Sequence, residues 1–120
     1  MKHIIITLLL FVIYACKSYA QRPKNGTYTY QVAFAEYQGR SLGATVLVKI
    51  KGDSIYVIHN GNNLSGKKGE VIDCGIIMQH RKTGEWIIGH HSSDKLAPYV
   101  GGCSDGPRVI DFVHKKFWLC

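Results

Sequence analysis

Three histidines near the middle of the chain, His80, His90 and His91, together with Asp94, Cys103 and Asp105, have the side chains that bind metals or move protons. Zinc needs three or four such donors converging at about 2 Å, so spacing decides whether they can serve together. Adjacent residues of an extended chain point to opposite faces, which separates His90 from His91. His80 and His90 fall four ladder positions apart on a hairpin, about 13 Å at roughly 3.3 Å per residue. No metal ligand set and no cofactor is therefore assigned. No serine–histidine–acid or paired-carboxylate spacing stands out either, so a non-enzymatic protein is the first reading. A small metal-dependent or hydrolytic enzyme using the histidines and aspartates of residues 89–107 is the alternative.

A second motif has a sharper outline. Gly61-x-x-x-x-Gly66-Lys67 follows the phosphate-binding loop up to its last position, where Lys68 stands in place of the serine or threonine that would hold magnesium. That motif works by presenting backbone N–H groups at the start of a helix. Here the following Gly69-Glu70-Val71-Ile72 reads as the start of a strand, so the segment is taken as a glycine-rich hairpin loop.

From Gly89 to Pro107 no periodicity appears, an unusual length of irregular chain for a small domain, and such loops are commonly bridged or functional. Tyr99, His90, His91 and Asp105 are its candidate ligand-binding residues, because an aromatic ring and several polar groups sit beside the turn Ser104-Asp105-Gly106-Pro107. A small apolar molecule, a glycan or an envelope protein is the kind of partner expected.

The elements that must position these residues read as strands. Tyr28, Tyr30, Val32 and Phe34 alternate with Thr29, Gln31, Ala33 and Ala35, which predicts a strand over residues 27–37. Residues 45–51 and 54–59 flank Gly52-Asp53, a two-residue hairpin turn that sets Ile50 opposite Ile55 and Val48 opposite Val57. A second hairpin over Lys82-Thr83-Gly84 places His80 across from Trp86 and Met78 across from Ile88. On its first strand Ile72, Cys74, Ile76 and Met78 share a face that reads as core, which makes Cys74 a buried thiol. Residues 109–113 and 117–120 make a third hairpin over His114-Lys115-Lys116. The fold expected is all-β, an antiparallel meander of about seven strands closed into a small barrel, or a two-sheet sandwich.

Ahead of these strands, Met1-Lys2-His3 precedes an apolar run from Ile4 to Ala15, roughly 12 residues where a spanning helix needs about 20. Residues 1–20 therefore read as a signal helix, with Ser18-x-Ala20 as the cleavage site and residues 21–120 as a single β domain. Ile13-Tyr14-Ala15-Cys16 also resembles a lipobox, which makes Cys16 a lipidation candidate and the only expected attachment to a membrane. The protein is expected to be periplasmic or extracellular, or an anchored envelope lipoprotein. With Cys16 set aside, Cys103 and Cys120 are the expected disulfide. The net charge of +7 includes Lys2 and Lys17; without them 13 basic residues stand against 8 acidic ones. The basic residues fall in turns rather than in line with aromatics, so nucleic acid is not an expected partner.

Overall fold

The computed structural model describes residues 21–120; residues 1–20, for which a signal helix and lipidation at Cys16 are expected, lie outside the described residues. Seven strands follow one another along the chain: β1 Gly26–Phe34, β2 Thr45–Lys51, β3 Ser54–His59, β4 Val71–Gln79, β5 Trp86–Gly89, β6 Ile110–Asp111 and β7 Lys116–Leu119. Short 3-10 turns occupy Ala35–Tyr37 and Ser92–Leu96. The strands form one sheet in the order β5-β4-β3-β2-β1-β7-β6, and a bridge between Ile87 and Val109 brings its two edges together into a nearly closed barrel. The all-β barrel holds, and the sandwich is not formed.

One pair departs from an antiparallel meander. β1 and β7 run parallel, with Val32 beside Phe117 and Phe34 beside Leu119. Parity requires this: in an up-and-down meander of seven strands the first and last point the same way, so the pair that joins them must be parallel.

The β2–β3 hairpin has the register that Gly52-Asp53 dictates, Ile50 opposite Ile55 and Val48 opposite Val57, with Gly52 at φ 61°. The β4–β5 hairpin is shifted by one residue from expectation, pairing Gln79 with Trp86 and Met78 with Ile87. Its tip is four residues long, because Gly84 in a left-handed conformation donates to the His80 carbonyl and the His80 ring takes up Thr83. A one-residue slip exchanges the faces of a strand. Asp73 and Ile77 consequently point inward and are buried, while Cys74 lies exposed on the outer face opposite Tyr56. Cys74 is thus not the buried thiol that the apolar alternation suggests. β1 also ends earlier than residue 37, in the turn at Ala35–Tyr37, and the third hairpin is shorter than expected.

The interior is filled. Tyr30, Val32, Val46, Val48, Ile55, Val57, Ile88, Ile110 and Phe117 are all essentially inaccessible and pack as one cluster. Tyr30 meets Phe112 edge-on at 6.5 Å between ring centres, and burial pushes its hydroxyl up to about 12, aided by Tyr28 and Asp111. A small barrel whose inward side chains meet at the axis has a core rather than a ligand cavity.

The strand directions give the barrel two distinct ends. The tight tips β2–β3, β4–β5 and β6–β7 lie at one, where the chain also arrives through Arg22 and Asn25. The loops after β1, β3 and β5 lie at the other, which we call the mouth.

Candidate functional site

At the mouth, Asp73 is the buried centre of a three-residue network. Its inward position follows from its pairing with Val57, and the barrel end is the one place where an inward carboxylate can be reached by polar groups. His90, just past β5, donates from Nε2 to Oδ1 at 2.8 Å, and Arg108, just before β6, donates from Nη1 to Oδ2 at 3.1 Å. The carboxylate side chain is 3% exposed, whereas His90 and Arg108 are about half exposed at 52% and 44%. One buried acceptor therefore fixes two polar side chains that project into solvent across the weakest seam of the barrel.

Those side chains line a cleft of about 510 Å³, shared with His91, Asp94, Asp105 and the backbone of Gly101 and Gly102. The connection from β5 to β6 builds its rim. The Asp94 carboxylate accepts the backbone N–H groups of His90 and His91 at 2.8 and 3.2 Å, closing the turn Ser92–Leu96. The buried His80 ring donates from Nε2 to the Ala97 carbonyl at 2.7 Å, and the Gly101 N–H donates to the Pro107 carbonyl at 2.8 Å. Ser104 Oγ donates to the Gly101 carbonyl at 2.6 Å and takes up the Gly106 N–H. Cys103 is bonded to Cys120, which ties the rim to the end of β7 as expected. The long irregular segment is thus bridged and hydrogen-bonded along its length.

Tyr99 lies outside the first cleft. It is 72% exposed and borders an adjoining hollow of about 580 Å³ with Ala97, Pro98 and Cys103. The turn Ser104–Pro107 and Asp94 line both spaces, so the two form neighbouring parts of one surface. Of the expected ligand-binding residues, His90, His91 and Asp105 share the first space, and Asp105 alone also faces Tyr99. Comparison with known proteins finds no matching family model, no curated relative and no similar solved structure. The chemistry of the site must therefore be argued from its own residues.

Among the described residues no group of three or more His, Cys, Asp or Glu side chains is placed to hold a metal ion. Of the six residues that invite a metal, Cys103 is in the disulfide and His80 is enclosed between Ala97 and Thr83. His90, His91, Asp94 and Asp105 face one cleft, with His90 bound to Asp73 and Asp94 to the backbone of His90 and His91. The Gly61–Lys68 segment is a hairpin loop leading into β4. His59, buried beneath it, accepts the Gly61 N–H at Nδ1 and donates to the Leu64 carbonyl from Nε2.

Asp73 and Arg108 are the residues that the sequence leaves unmarked. Asp73 lies on the strand face with fewer apolar residues, and Arg108 belongs to no motif. The available signal is Gly75, two positions on: a side chain there would meet the carbonyl of Gly89 on β5, so that face is pressed against its neighbour rather than open to water.

Two rim and tip carboxyls are held below the ordinary value of 3.8. The His90 N–H lowers Asp94, burial opposes it, and the His91 N–H and both imidazoles add to the lowering. For Asp111 burial works upward, but the backbone N–H groups of His114 and Val113 and the His114 ring outweigh it. Depressed folded values contribute stability that is complete above the unfolded value and is lost as pH falls through the folded one. The thermal midpoint will therefore fall as pH drops below about 4, and Asp94→Asn with Asp111→Asn will flatten that acid limb. Identical acid limbs in the two proteins would show that other carboxyls carry the effect.

Proposed function

We propose that the protein is an exported, non-enzymatic barrel that binds a glycan at its mouth. The observation that carries this reading is an open, polar cleft whose donors are held rigid by buried Asp73 and whose wall continues to an exposed tyrosine. Sugars present hydroxyls that both donate and accept, and a mixed rim of Asp94, Asp105, His91 and Arg108 offers both kinds of partner. They also present flat C–H faces, for which an uncovered ring such as Tyr99 is a platform. The filled interior favours this ligand over a small apolar molecule, which would need an enclosed apolar space. Export rests on the apolar run Ile4–Ala15 and the small residues before Gln21, with lipidation of Cys16 as the anchored form, and the Cys103–Cys120 disulfide is compatible with an oxidising compartment.

An array of neutral oligosaccharides followed by titration of a selected sugar tests the reading. Tyr99→Ala will weaken binding about 2- to 10-fold, the range of an aromatic contact. Intact mass of the exported protein reports the cleavage site and any lipid. A blank array together with a co-purified apolar molecule in that mass spectrum would overturn the glycan assignment.

A further inference from the structure

The two ends of the barrel differ in charge. At the tip end, Arg22, Lys24, Lys51, Arg81, Lys82 and Lys115 come from the N-terminal lead and from all three hairpin tips. Against these six stand three acidic residues: Asp53, bound to Arg22 at 2.5 Å, Glu85, and Asp111, turned onto His114 at 2.8 Å. The mouth and the loops around it carry Glu36, Glu70, Asp73, Asp94 and Asp105 against Arg40, Lys67, Lys68, Lys95 and Arg108, so that end is balanced in charge. Basic tips drawn from separated parts of the chain converge only because every tight turn of an up-and-down barrel falls at the same end.

Apolar groups accompany the charge. Val113, at the β6–β7 tip, is 76% exposed, and it lines a cleft of about 340 Å³ with Trp86, Phe112 and Trp118, bordered by Glu85, Asp111 and His114. Gln21 borders the same cleft, so the 20 preceding residues, with their apolar run Ile4–Ala15, join the barrel here. Amphipathic tryptophans, an uncovered aliphatic tip and basic side chains with long apolar stems are the composition of a surface that rests in lipid headgroups.

We propose that this tip end docks on an anionic lipid bilayer, with the mouth directed away from it. The basic tips engage headgroup phosphates, Val113 and the tryptophan cleft meet the upper acyl boundary, and the N-terminal lead leaves from the face that touches the membrane. The placement is independent of what binds at the mouth. It also goes beyond an anchor at Cys16, because it assigns the contact to the folded barrel.

Trp86 and Trp118 are the only tryptophans in the chain and both border this cleft. The Trp118 ring also rests against Gly39 of the loop after β1, so Trp86 is the direct reporter of the tip end and a Trp118→Phe protein isolates its emission. The exported protein is mixed with vesicles of phosphatidylglycerol or of phosphatidylcholine, each carrying brominated acyl chains. A Cys16→Ser protein is used, because a lipid on Cys16, five residues before Gln21, would itself bring these rings to any vesicle. Phosphatidylglycerol vesicles will quench and blue-shift the emission, phosphatidylcholine vesicles will not, and high salt will reverse the effect. Lys82→Gln with Lys115→Gln will require about 30-fold more lipid for half-maximal quenching, since each basic side chain at an anionic surface contributes roughly fivefold. Both positions are exposed turn residues, and an unchanged unfolding midpoint confirms that the variant folds. Val113→Asp, a second and independent variant, will also reduce quenching. Unquenched tryptophans on anionic vesicles, or quenching that ignores lipid charge and both variants, would overturn the proposal. So would retention on a soluble polyanion without any vesicle contact.

Discussion

Removing both donors of the mouth network, His90→Ala with Arg108→Ala, will destabilise the protein by about 3 kcal/mol, the lower end of the cost of leaving a buried charge unpaired. Replacing the acceptor instead, Asp73→Leu, will cost only about 1 kcal/mol, because an apolar side chain of similar volume can be accommodated where a buried ion was. This asymmetry follows from exposure. Asp73 is 3% exposed and has nowhere to turn for a substitute partner, whereas His90 and Arg108 are about half exposed and can pass their hydrogen bonds to water. The lower end of the range applies because the donors form the cleft wall, and their truncation admits some water to the carboxylate. Adding Asp73→Leu to the double variant will then restore much of the lost stability. Denaturant unfolding of the four proteins measures this, provided the slope with denaturant stays constant. An Asp73→Leu variant less stable than the double donor variant would refute the description of Asp73 as the element that depends on its partners. For function both changes matter: Asp73→Leu leaves the fold largely intact but frees both side chains, so ligand binding at the mouth will weaken although His90 and Arg108 themselves are unchanged.

The second large effect concerns the bridge. Cys103→Ser with Cys120→Ser opens a loop of sequence separation 17, whose closure contributes about 3 kcal/mol. That loop encloses β6 and β7, the two strands that complete the barrel between β1 and β5. β6 has two residues and meets β5 through the single bridge Ile87 to Val109, so the bonded staple supports the least hydrogen-bonded part of the sheet. Unfolding of the wild type will therefore shift to lower denaturant when a reductant is present, and the serine variant will show the lower midpoint with or without reductant. A wild type indifferent to reductant, with reduction verified by thiol titration, would show that β6 and β7 hold without the bridge. Loss of the bridge also frees the Ser104–Pro107 rim, so mouth binding will weaken more than the midpoint alone suggests.

Local chemistry made much of the architecture legible. Gly52-Asp53 sets the β2–β3 register because a two-residue turn leaves no other pairing, and Ile50, Ile55, Val48 and Val57 lie where that turn puts them. The 89–107 segment declares itself by its lack of period, and with Cys16 set aside the loop position of Cys103 and the terminal position of Cys120 point to their bridge, although the buried thiol read for Cys74 is exposed. The β4 strand was not legible in the same way. Ile72, Cys74, Ile76 and Met78 form the more apolar alternate, yet Asp73 and Ile77 are the buried residues.

The difference lies in the range of the determining contacts. Composition, turn chemistry and cysteine arithmetic act between near neighbours, and they are sufficient for an all-β chain of hairpins with a stapled loop. Which face of β4 turns inward depends on a four-residue tip held by the His80 ring, on the close approach of Gly75 to Gly89, and on a carboxylate satisfied from His90 and from Arg108, 35 positions away. A buried charge is tolerated only where partners meet it, and closure of the sheet, not any motif, brings those partners to Asp73. The same closure gathers the basic tips at one end and the polar cleft at the other.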